Sequence, residues 1–334
     1  MSGDDVPYQL RPNKFIDRQI FIDLLCRLVP NKGADKYVYV SMGGKHLVDH
    51  GAVYRFVGIT KLFSFDSDTV IVGRQNINKP ISDAECWRLD SGQLCSSIDK
   101  IFEKFQEAEN LIVWLDYTDP HQRLTQLQEL VEISKKFQDG DIIRITINSN
   151  LGTLDGDRGA SSWQSEGFKN PGAYRIAKLR DQLGHFVPVD IVSVEDNNFP
   201  SVLCRCIGIA ISQVASERRD IYFKPLLNTT YRDGQRMVTV TCIVNSKSDT
   251  NDSNPNLKAW KFTPAGWGDV TQISSPDLSF REKLKLDQHI ADDPTEIATQ
   301  IGFKFDQDDA KTVAIIKNYK ELHRYYPSFY NIFT

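Results

Sequence analysis

Short apolar runs alternate with segments of helical spacing between residues 37 and 148, and most of these runs end in glycine or aspartate. The clearest run is 110–115, NLIVWL, which Asp116 follows directly. Strands separated by helices pair in parallel through right-handed crossovers, and near-continuous apolar strands are typical of sheets covered on both faces. The alternation therefore predicts an α/β fold with a mostly parallel sheet and helices on both of its faces.

The individual elements follow from the spacing of apolar residues along the chain. Five strands are predicted over 37–40, 61–65, 84–89, 110–115 and 141–148. Helices are predicted over 12–29, 46–58, 94–108, 122–137, 174–183 and 199–216. In such sheets ligands bind outside the carboxyl ends of the strands, which is where the glycine and acidic residues of this chain cluster.

The second half of the chain predicts a hairpin, a linker and a small helical region. Asp233 and Gly234 lie between two β-rich runs, 221–227 and 237–244, which is a strong hairpin signal. Residues 245–257 are polar, and short helices are predicted over 279–290, 294–301 and 308–322. We therefore expect a Rossmann-like domain over 1–245 that ends in a closing antiparallel hairpin, an irregular linker over 246–275 and a small, mainly helical C-terminal region over 276–334.

Charge and cysteine usage narrow the function classes. The net charge of −4 argues against a chain-wide nucleic-acid surface, although a local basic groove stays open. The six cysteines show no CxxC spacing, which indicates reduced thiols rather than a metal site. Residues 1–10 lack the apolar core of a signal peptide, and no unbroken apolar run approaches the roughly 18 residues of a membrane span. We expect a cytoplasmic protein with no metal and no membrane contact.

Some widespread catalytic patterns are missing from the sequence. It contains neither the Gly-x-Ser-x-Gly turn of α/β-hydrolases nor the Gly-x-x-x-x-Gly-Lys-Ser/Thr loop that binds nucleoside triphosphates. His46 and His50 would share a helix face, but no third metal ligand accompanies them. These absences remove the corresponding hydrolase and nucleoside triphosphatase interpretations.

Two groups of residues at predicted strand ends are candidates for binding a nucleoside. Ser41, Gly43 and Gly44 follow the first strand, where glycine lets a ligand approach the backbone without a Cβ clash; a plain tight turn is the alternative. Asp66 ends the second strand, where a carboxylate can accept hydrogen bonds from a ribose diol; a solvated loop acid or a helix cap is the alternative. The spacing of roughly twenty residues between the two groups favours the nucleoside interpretation.

Two further groups follow the third and fourth strands. Asp90 and Ser91 could bind an adenine amino group, or Ser91 could cap the next helix. Asp116 and Tyr117 could face the reacting centre, with Asp116 orienting a substrate or acting as a general base and Tyr117 stacking on a planar group. An Asp116 that only caps the next helix is the alternative.

With these motifs in place, residues 8–150 resemble the class I S-adenosylmethionine-dependent methyltransferase superfamily, and more narrowly a group of uncharacterised bacterial proteins labelled as O-methyltransferases. The resemblance rests on the segments 11–14 (RPNK), 39–44 (YVSMGG), 65–68 (FDSD), 78–80 (NKP) and 114–117 (WLDY). It implies S-adenosylmethionine as the cofactor. By resemblance, Gly43 and Gly44 would lie against its methionine and sugar portion, Asp66 would hold the ribose and Asp90 or Ser91 the adenine edge. Asp116 and Tyr117 would lie at the reacting centre.

The sequence departs from the superfamily pattern at two points. The turn after the first strand lacks the acidic-x-Gly-x-Gly-x-Gly pattern, and Pro120 comes too late for the Asn/Asp-Pro-Pro-aromatic box of enzymes that methylate amino groups of bases. Methylation of base amino groups is therefore not expected.

Our leading hypothesis is a methyltransferase-like protein that binds S-adenosylmethionine or a related nucleoside and methylates an unidentified acceptor. The alternative is a non-catalytic Rossmann-like scaffold or sensor subunit of a multi-protein assembly, such as a bacterial anti-phage defence system. The atypical glycine turn favours that alternative, as does an aromatic C-terminus through which a protein partner could bind (Tyr325, Tyr326, Phe329, Tyr330 and Phe333). Packing of these aromatic side chains on their own domain is the more common arrangement. A third hypothesis, another chemistry on nucleotides or nucleic acid in the same crevice, is disfavoured by the acidic net charge.

Overall fold

The computed structural model describes residues 11–156, 162–248 and 255–328. The acidic start over 1–10, parts of the predicted loop and linker, and Phe329, Tyr330 and Phe333 lie outside the described residues. Packing divides the described chain into a larger unit, within 22–230 and 237–271, and a smaller unit, within 11–21, 231–236 and 272–328. Every candidate site residue belongs to the larger unit, and the predicted domain boundaries at 245 and 275 stay a prediction.

The strands form one eight-stranded sheet. Its strands are β1 Tyr37–Ser41, β2 Lys61–Asp66, β3 Glu85–Arg88, β4 Asn110–Asp116, β5 Ile142–Asn148, β6 Ile221–Asp233, β7 Gln235–Ser246 and β8 Thr271–Ile273. They lie in the order β3-β2-β1-β4-β5-β7-β6-β8. The first five pair in parallel, and β7 runs antiparallel to β5. The predicted mostly parallel, Rossmann-like sheet with a closing hairpin is thus confirmed.

The helices of the larger unit lie in the connections between strands. They are α2 Val48–Ala52, α3 Thr69–Ile77, α4 Leu94–Lys104, α5 Arg123–Ser134, α6 Ser162–Ser165, α7 Pro171–Leu183 and α8 Phe199–Glu217, while α1 Pro12–Leu28 precedes β1. A π-helical turn, Val53–Val57, continues α2. The helix predicted over 46–58 is therefore real, but it has two different hydrogen-bonding patterns.

Helix α3 was missing from the sequence prediction. Val70 and Ile77 stand seven residues apart on α3 and are 67% and 85% exposed, so the apolar residues of this helix do not mark a buried face. The side chain of Asp68 caps the helix by accepting the Val70 N–H at 2.7 Å. The acidic sequence after β2 thus begins a helix as well as ending a strand.

The two faces of the sheet are buried by different kinds of side chain. Alternation along a strand sends successive side chains to opposite faces. On one face Val113 and Leu115 pack in the main apolar core, with residues of α4, α5 and α8. On the other face the buried residues include Tyr39, Ser41 and Arg144. A mixed polar interior therefore lies on the side that α2 covers.

Helix α8 is long and apolar enough to cross a membrane, judged by length and composition alone. In this structure 61% of that stretch is buried. Leu203, Ile207 and Ile211 belong to the same apolar core as strand β4. Helix α8 therefore has the packing of a core helix.

The smaller unit contains the predicted C-terminal helices, α9 Phe280–Gln288, α10 Pro294–Gln300 and α11 Asp309–Leu322. The Tyr319 hydroxyl donates to Asp287 Oδ1 at 2.6 Å, and the Tyr326 hydroxyl donates to the Pro276 carbonyl at 3.0 Å. Tyr326 is therefore packed within its own unit. A protein partner bound through this region stays a prediction.

Candidate ligand-binding site

The strand order reverses between β1 and β4, because the chain adds β2 and β3 on one side of β1 and β5 on the far side of β4. In open α/β sheets, ligands bind at this switch point, outside the carboxyl ends of the strands. Ser41, Asp66 and Asp116 are the last residues of β1, β2 and β4. Strand alternation puts all three on the polar face of the sheet. The structure thus brings three of the predicted residues to one edge and one face.

The two glycines after β1 have different surroundings. Both have left-handed φ angles, +67° for Gly43 and +54° for Gly44, which glycine adopts without a steric cost. A Cβ on Gly43 would lie 2.6 Å from Leu47 Cδ2 and 2.8 Å from His50 Cε1. A Cβ on Gly44 would meet nothing within 4 Å. Gly43 is therefore required by internal packing, while Gly44 faces open space that a ligand can enter.

Ser41 shapes this turn from within. Its buried hydroxyl donates to Asp49 Oδ2 at 2.7 Å and accepts the Gly43 N–H at 3.2 Å. The serine therefore links β1, the turn and α2. Its predicted contact with a cofactor stays a prediction.

Gln75 of α3 and Asn78, which directly follows α3, hold carbonyl groups of the turn, a role that the sequence reasoning did not assign. The fully buried Gln75 donates from Nε2 to the Met42 carbonyl at 2.9 Å and to the Gly44 carbonyl at 3.2 Å. Asn78 Nδ2 donates to the Lys45 carbonyl at 2.8 Å. The sequence did not predict helix α3, so nothing indicated that Gln75 would bind the carbonyl groups of the turn.

Leu47 adds local strain at the same place. It has a left-handed φ of +49° although it carries a side chain, and that side chain is buried. The left-handed conformation costs a non-glycine residue about 1–2 kcal/mol. Residues held in such conformations cluster at functional sites, so the strain at Leu47 agrees with a binding role for the turn.

Asp66 is half-buried, and its carboxylate is oriented by the chain that follows. Oδ1 accepts the Asp68 N–H at 2.9 Å, and the Asp66 carbonyl accepts the Leu89 N–H at 3.0 Å. The first contact is a local Asx turn, while the cap of α3 is Asp68 rather than Asp66. The second ties the end of β2 to the segment after β3.

A cleft of about 360 Å³ opens at the carboxyl ends of β2 and β3, lined by Ser67, Arg88, Leu89, Asp90 and Gln93. Arg88 Nε donates to the Ser67 carbonyl at 3.2 Å, which fixes one wall. Asp90 accepts the Gly92 N–H at 3.0 Å and forms a capping box with Gln93. Asp90 is thus both the cap before α4 and a lining residue of the cleft.

Tyr117 lies on the apolar face, away from Asp116. The residue is 9% exposed and belongs to the main core, and its hydroxyl donates to Glu129 Oε2 at 2.5 Å. Burial, together with the neighbouring Glu129 carboxylate, raises the pKa of Tyr117 well above its usual value, although the nearby Ser91 side chain opposes the shift. The structure therefore brings Ser91 and Tyr117 together. A catalytic role for Asp116 or Tyr117 stays a prediction.

Arg123 was missed by the sequence reasoning, because an arginine at the start of an amphipathic helix is usually exposed. Its guanidinium is fully buried and donates to the Asn148 carbonyl at 2.9 Å, Thr153 Oγ1 at 2.9 Å and Gln182 Oε1 at 3.1 Å. Burial lowers the pKa of Arg123 to about 10. The arginine fixes the carboxyl end of β5 to the segment that follows it.

A known protein family covers almost the whole chain. The family described as "Putative O-methyltransferase" matches residues 6–334. The chain belongs to this family. The match confirms the resemblance to S-adenosylmethionine-dependent methyltransferases that the strand-end motifs indicated, and it identifies a methyltransferase-like protein.

Solved structures of methyltransferases are similar at a greater distance. The plantazolicin methyltransferase BpumL in complex with SAH is 12% identical, with 69% of this chain and 83% of that chain covered and a TM-score of 0.38. The N-methyltransferase NodS from Bradyrhizobium japonicum WM9 is 10% identical, with coverages of 68% and 96% and a TM-score of 0.34. An rRNA methylase from Streptococcus thermophilus is 13% identical, with coverages of 67% and 94% and a TM-score of 0.34. No curated protein matches the chain. Similarity at this level carries no argument about ligand or substrate.

Proposed function

We propose that this chain binds S-adenosylmethionine or a related nucleoside along the carboxyl edge of its sheet and transfers the methyl group to an acceptor. One arrangement carries the proposal. The open turn at Gly44, the Asp66 carboxylate and the cleft at Asp90 follow β1, β2 and β3 respectively. An extended nucleoside at the switch point of an open α/β sheet would meet these three positions in turn. Membership of an O-methyltransferase family supports the same class of ligand.

Each position suits one part of such a ligand. Gly44 leaves room beside the backbone, and a carboxylate such as Asp66 accepts two hydrogen bonds from a ribose diol. The cleft is within the size range of small-ligand pockets, and Asp90 on its lining can accept a hydrogen bond from an exocyclic amino group. An acidic edge also favours a cationic group such as a sulfonium over a polyanion. This preference weighs against a nucleic-acid acceptor.

S-adenosylmethionine, when bound, supplies an electrophilic methyl group. The part of the protein is to position the acceptor and to exclude water. Asp116 shares the polar sheet face with Ser41 and Asp66, so its carboxylate is suited to orient an acceptor or to take its proton. Tyr117 lies on the opposite face and would act through its contact with Ser91.

Isothermal titration calorimetry with S-adenosylmethionine and S-adenosylhomocysteine tests the binding step. Asp66→Asn keeps an acceptor for the Asp68 N–H but removes one carboxylate oxygen and the charge. We expect it to lose at least about tenfold in affinity, the value of one charge-assisted hydrogen bond, with an unchanged melting temperature. Asp68→Asn is the matched control, since asparagine caps a helix as well as aspartate does, and it should bind like the wild type. No saturable binding at millimolar ligand would contradict the proposal.

A non-catalytic sensor or scaffold subunit is the second candidate, and one observation favours it. The Ser41 hydroxyl and the space beside Gly43 are used inside the protein, so this turn offers a ligand fewer contacts than a glycine-rich turn with three open glycines. Transfer of a radiolabelled methyl group to proteins, nucleic acids and metabolites separates the two candidates. Saturable binding without transfer to any of them would favour a sensor or scaffold in a multi-protein assembly, including a bacterial defence system.

The same proposal places the protein in the cytoplasm. All six cysteines are free thiols, and Cys204, Cys206 and Cys242 are buried in the core. Unpaired, buried cysteines are typical of proteins in a reducing compartment. Cell fractionation with an antibody to the native protein tests this location.

A further inference from the structure

The turn after β1 is closed by an unusual hydrogen bond. The Gly44 N–H donates to the Met42 carbonyl at 2.8 Å, which makes a three-residue γ-turn around Gly43. The φ of +67° at Gly43 belongs to the form of the γ-turn that is rare and strained. Strained backbone persists only where the surrounding structure holds it in place. The conformation of this turn therefore depends on contacts from other elements.

Gln75 of α3 supplies the contact that reaches both ends of the γ-turn. The side chain is fully buried, and Nε2 donates to the Met42 carbonyl at 2.9 Å and to the Gly44 carbonyl at 3.2 Å. Because both carbonyls can only accept, the nitrogen of the amide rather than its oxygen must face them, and each carbonyl takes one of its two N–H protons. The Ser64 hydroxyl also donates to the Met42 carbonyl, at 3.3 Å.

The amide oxygen of Gln75 has no comparable role. Oε1 is buried, and no donor among the described residues reaches it. A buried acceptor without a partner is destabilising, and this cost offsets the gain from the two hydrogen bonds of the nitrogen. An apolar side chain of the same length would therefore stabilise the fold about as well. What the glutamine adds at this position is control over where the two carbonyl groups point.

Helix α3 connects two of the positions where we place the ligand. At the start of the helix, the Asp68 N–H donates to Asp66 Oδ1 at 2.9 Å, and the Asp68 side chain caps the helix. In the last turn of the helix, Gln75 holds the Gly44 carbonyl. A shift of this carbonyl would move Gly44 relative to the Asp66 carboxylate. A ligand that contacts both positions would then fit less well.

We propose that Gln75 is a positioning residue for ligand binding, and that its amide nitrogen keeps the strained turn in the conformation that a ligand meets at Gly44. The proposal rests on the proposed function to the extent that the ligand contacts Gly44. The buried side chain acts through the backbone of the turn and does not touch the ligand. Loss of the amide should therefore weaken ligand binding and leave stability nearly unchanged.

Gln75→Met is the test variant, because methionine has nearly the same length but no N–H donor. The matched control is Asn76→Met, which removes the exposed amide of the next residue on α3, where Nδ2 donates to the Val72 carbonyl at 3.0 Å. We expect both variants to unfold in urea at midpoints close to that of the wild type. A Gln75→Met protein that fails to fold while Asn76→Met folds would show a structural role for the glutamine and overturn the proposal.

Hydrogen exchange of the Gly44 N–H, followed by NMR, reports on the turn without any ligand. This N–H closes the γ-turn, so its exchange rate measures how often the turn opens. We expect exchange in Gln75→Met to be faster by about five- to tenfold, the equivalent of one hydrogen bond, and exchange in Asn76→Met to match the wild type. Equal rates in Gln75→Met and the wild type would refute the positioning role.

Calorimetric titration with S-adenosylhomocysteine then connects the turn to binding. We expect the Kd of Gln75→Met to rise about tenfold over that of the wild type, and the Kd of Asn76→Met to be unchanged. Equal Kd values for the three proteins would overturn the proposal. If the wild type binds no S-adenosylhomocysteine, the proposed function fails, while the exchange of the Gly44 N–H still decides whether Gln75 positions the turn.

Discussion

The two glycines of the turn give the sharpest test of the site, because a methyl group added at Gly43 would overlap buried side chains, whereas one added at Gly44 would not. An alanine at either glycine must adopt a left-handed φ, which costs about 1–2 kcal/mol. At Gly44 nothing else opposes the methyl group, since its Cβ would have no atom within 4 Å. At Gly43 the Cβ would overlap Leu47 and His50, with distances of 2.6 Å and 2.8 Å.

Overpacking of a buried position costs a further amount of about 1–3 kcal/mol. We therefore expect Gly43→Ala to lower the free energy of unfolding by about 2–5 kcal/mol, and Gly44→Ala to lower it by only about 1–2 kcal/mol. Urea unfolding followed by tryptophan fluorescence measures both values, with Gly44→Ala as the matched control for the backbone cost. Equal destabilisation of the two variants would refute the packing argument.

The Gly44→Ala variant also tests where the ligand binds. The methyl group of Gly44→Ala projects into the open space where we place the ligand. This variant, the less destabilised of the two, should therefore lose at least about tenfold in affinity for S-adenosylhomocysteine, equivalent to about 1.4 kcal/mol. A Gly44→Ala protein that binds like the wild type would show that the ligand does not approach this turn.

Three further predictions concern buried groups near the site. Arg123→Met removes three hydrogen bonds to neutral acceptors at the end of β5, so it should lower the free energy of unfolding by about 1–3 kcal/mol, the cost of leaving buried acceptors unpaired; an unchanged free energy in urea unfolding would contradict the structure. Tyr117→Phe leaves Glu129 without its 2.5 Å donor and should cost about 1–2 kcal/mol in thermal unfolding; lost methyl transfer at unchanged stability would instead support a catalytic tyrosine. Burial raises the pKa of Asp141 to about 6 from 3.8. Its protonated form is therefore favoured in the folded state, and its contribution to stability is complete below about pH 4 and is lost as the pH rises through 6. The difference in the free energy of unfolding between the wild type and Asp141→Asn should fall by about 3 kcal/mol between pH 4 and pH 7. If urea unfolding gives the same difference at both pH values, the pKa of Asp141 is not raised.

Much of the fold could be predicted from the sequence, for reasons visible in single elements. Residues 111–115 are all apolar, and β4 is buried on both faces, as near-continuous apolar strands of parallel sheets are. The hairpin was predicted from Asp233 and Gly234, since glycine fits the left-handed φ of +93° that the turn requires. Helix α3 was missed because its apolar residues at 70 and 77 are exposed, and with it the role of Gln75.

The sequence by itself determined which residues stand at the strand ends, because the spacing of apolar residues fixes where each strand stops and which edge its last residue reaches. Only the tertiary structure decided what each of those residues contacts. Periodicity cannot distinguish the packed Gly43 from the open Gly44. It also cannot predict that Arg123 meets Asn148 and Gln182, which lie 25 and 59 residues away. Such contacts depend on the packing of whole elements in three dimensions, and the spacing of residues along one element carries no information about them.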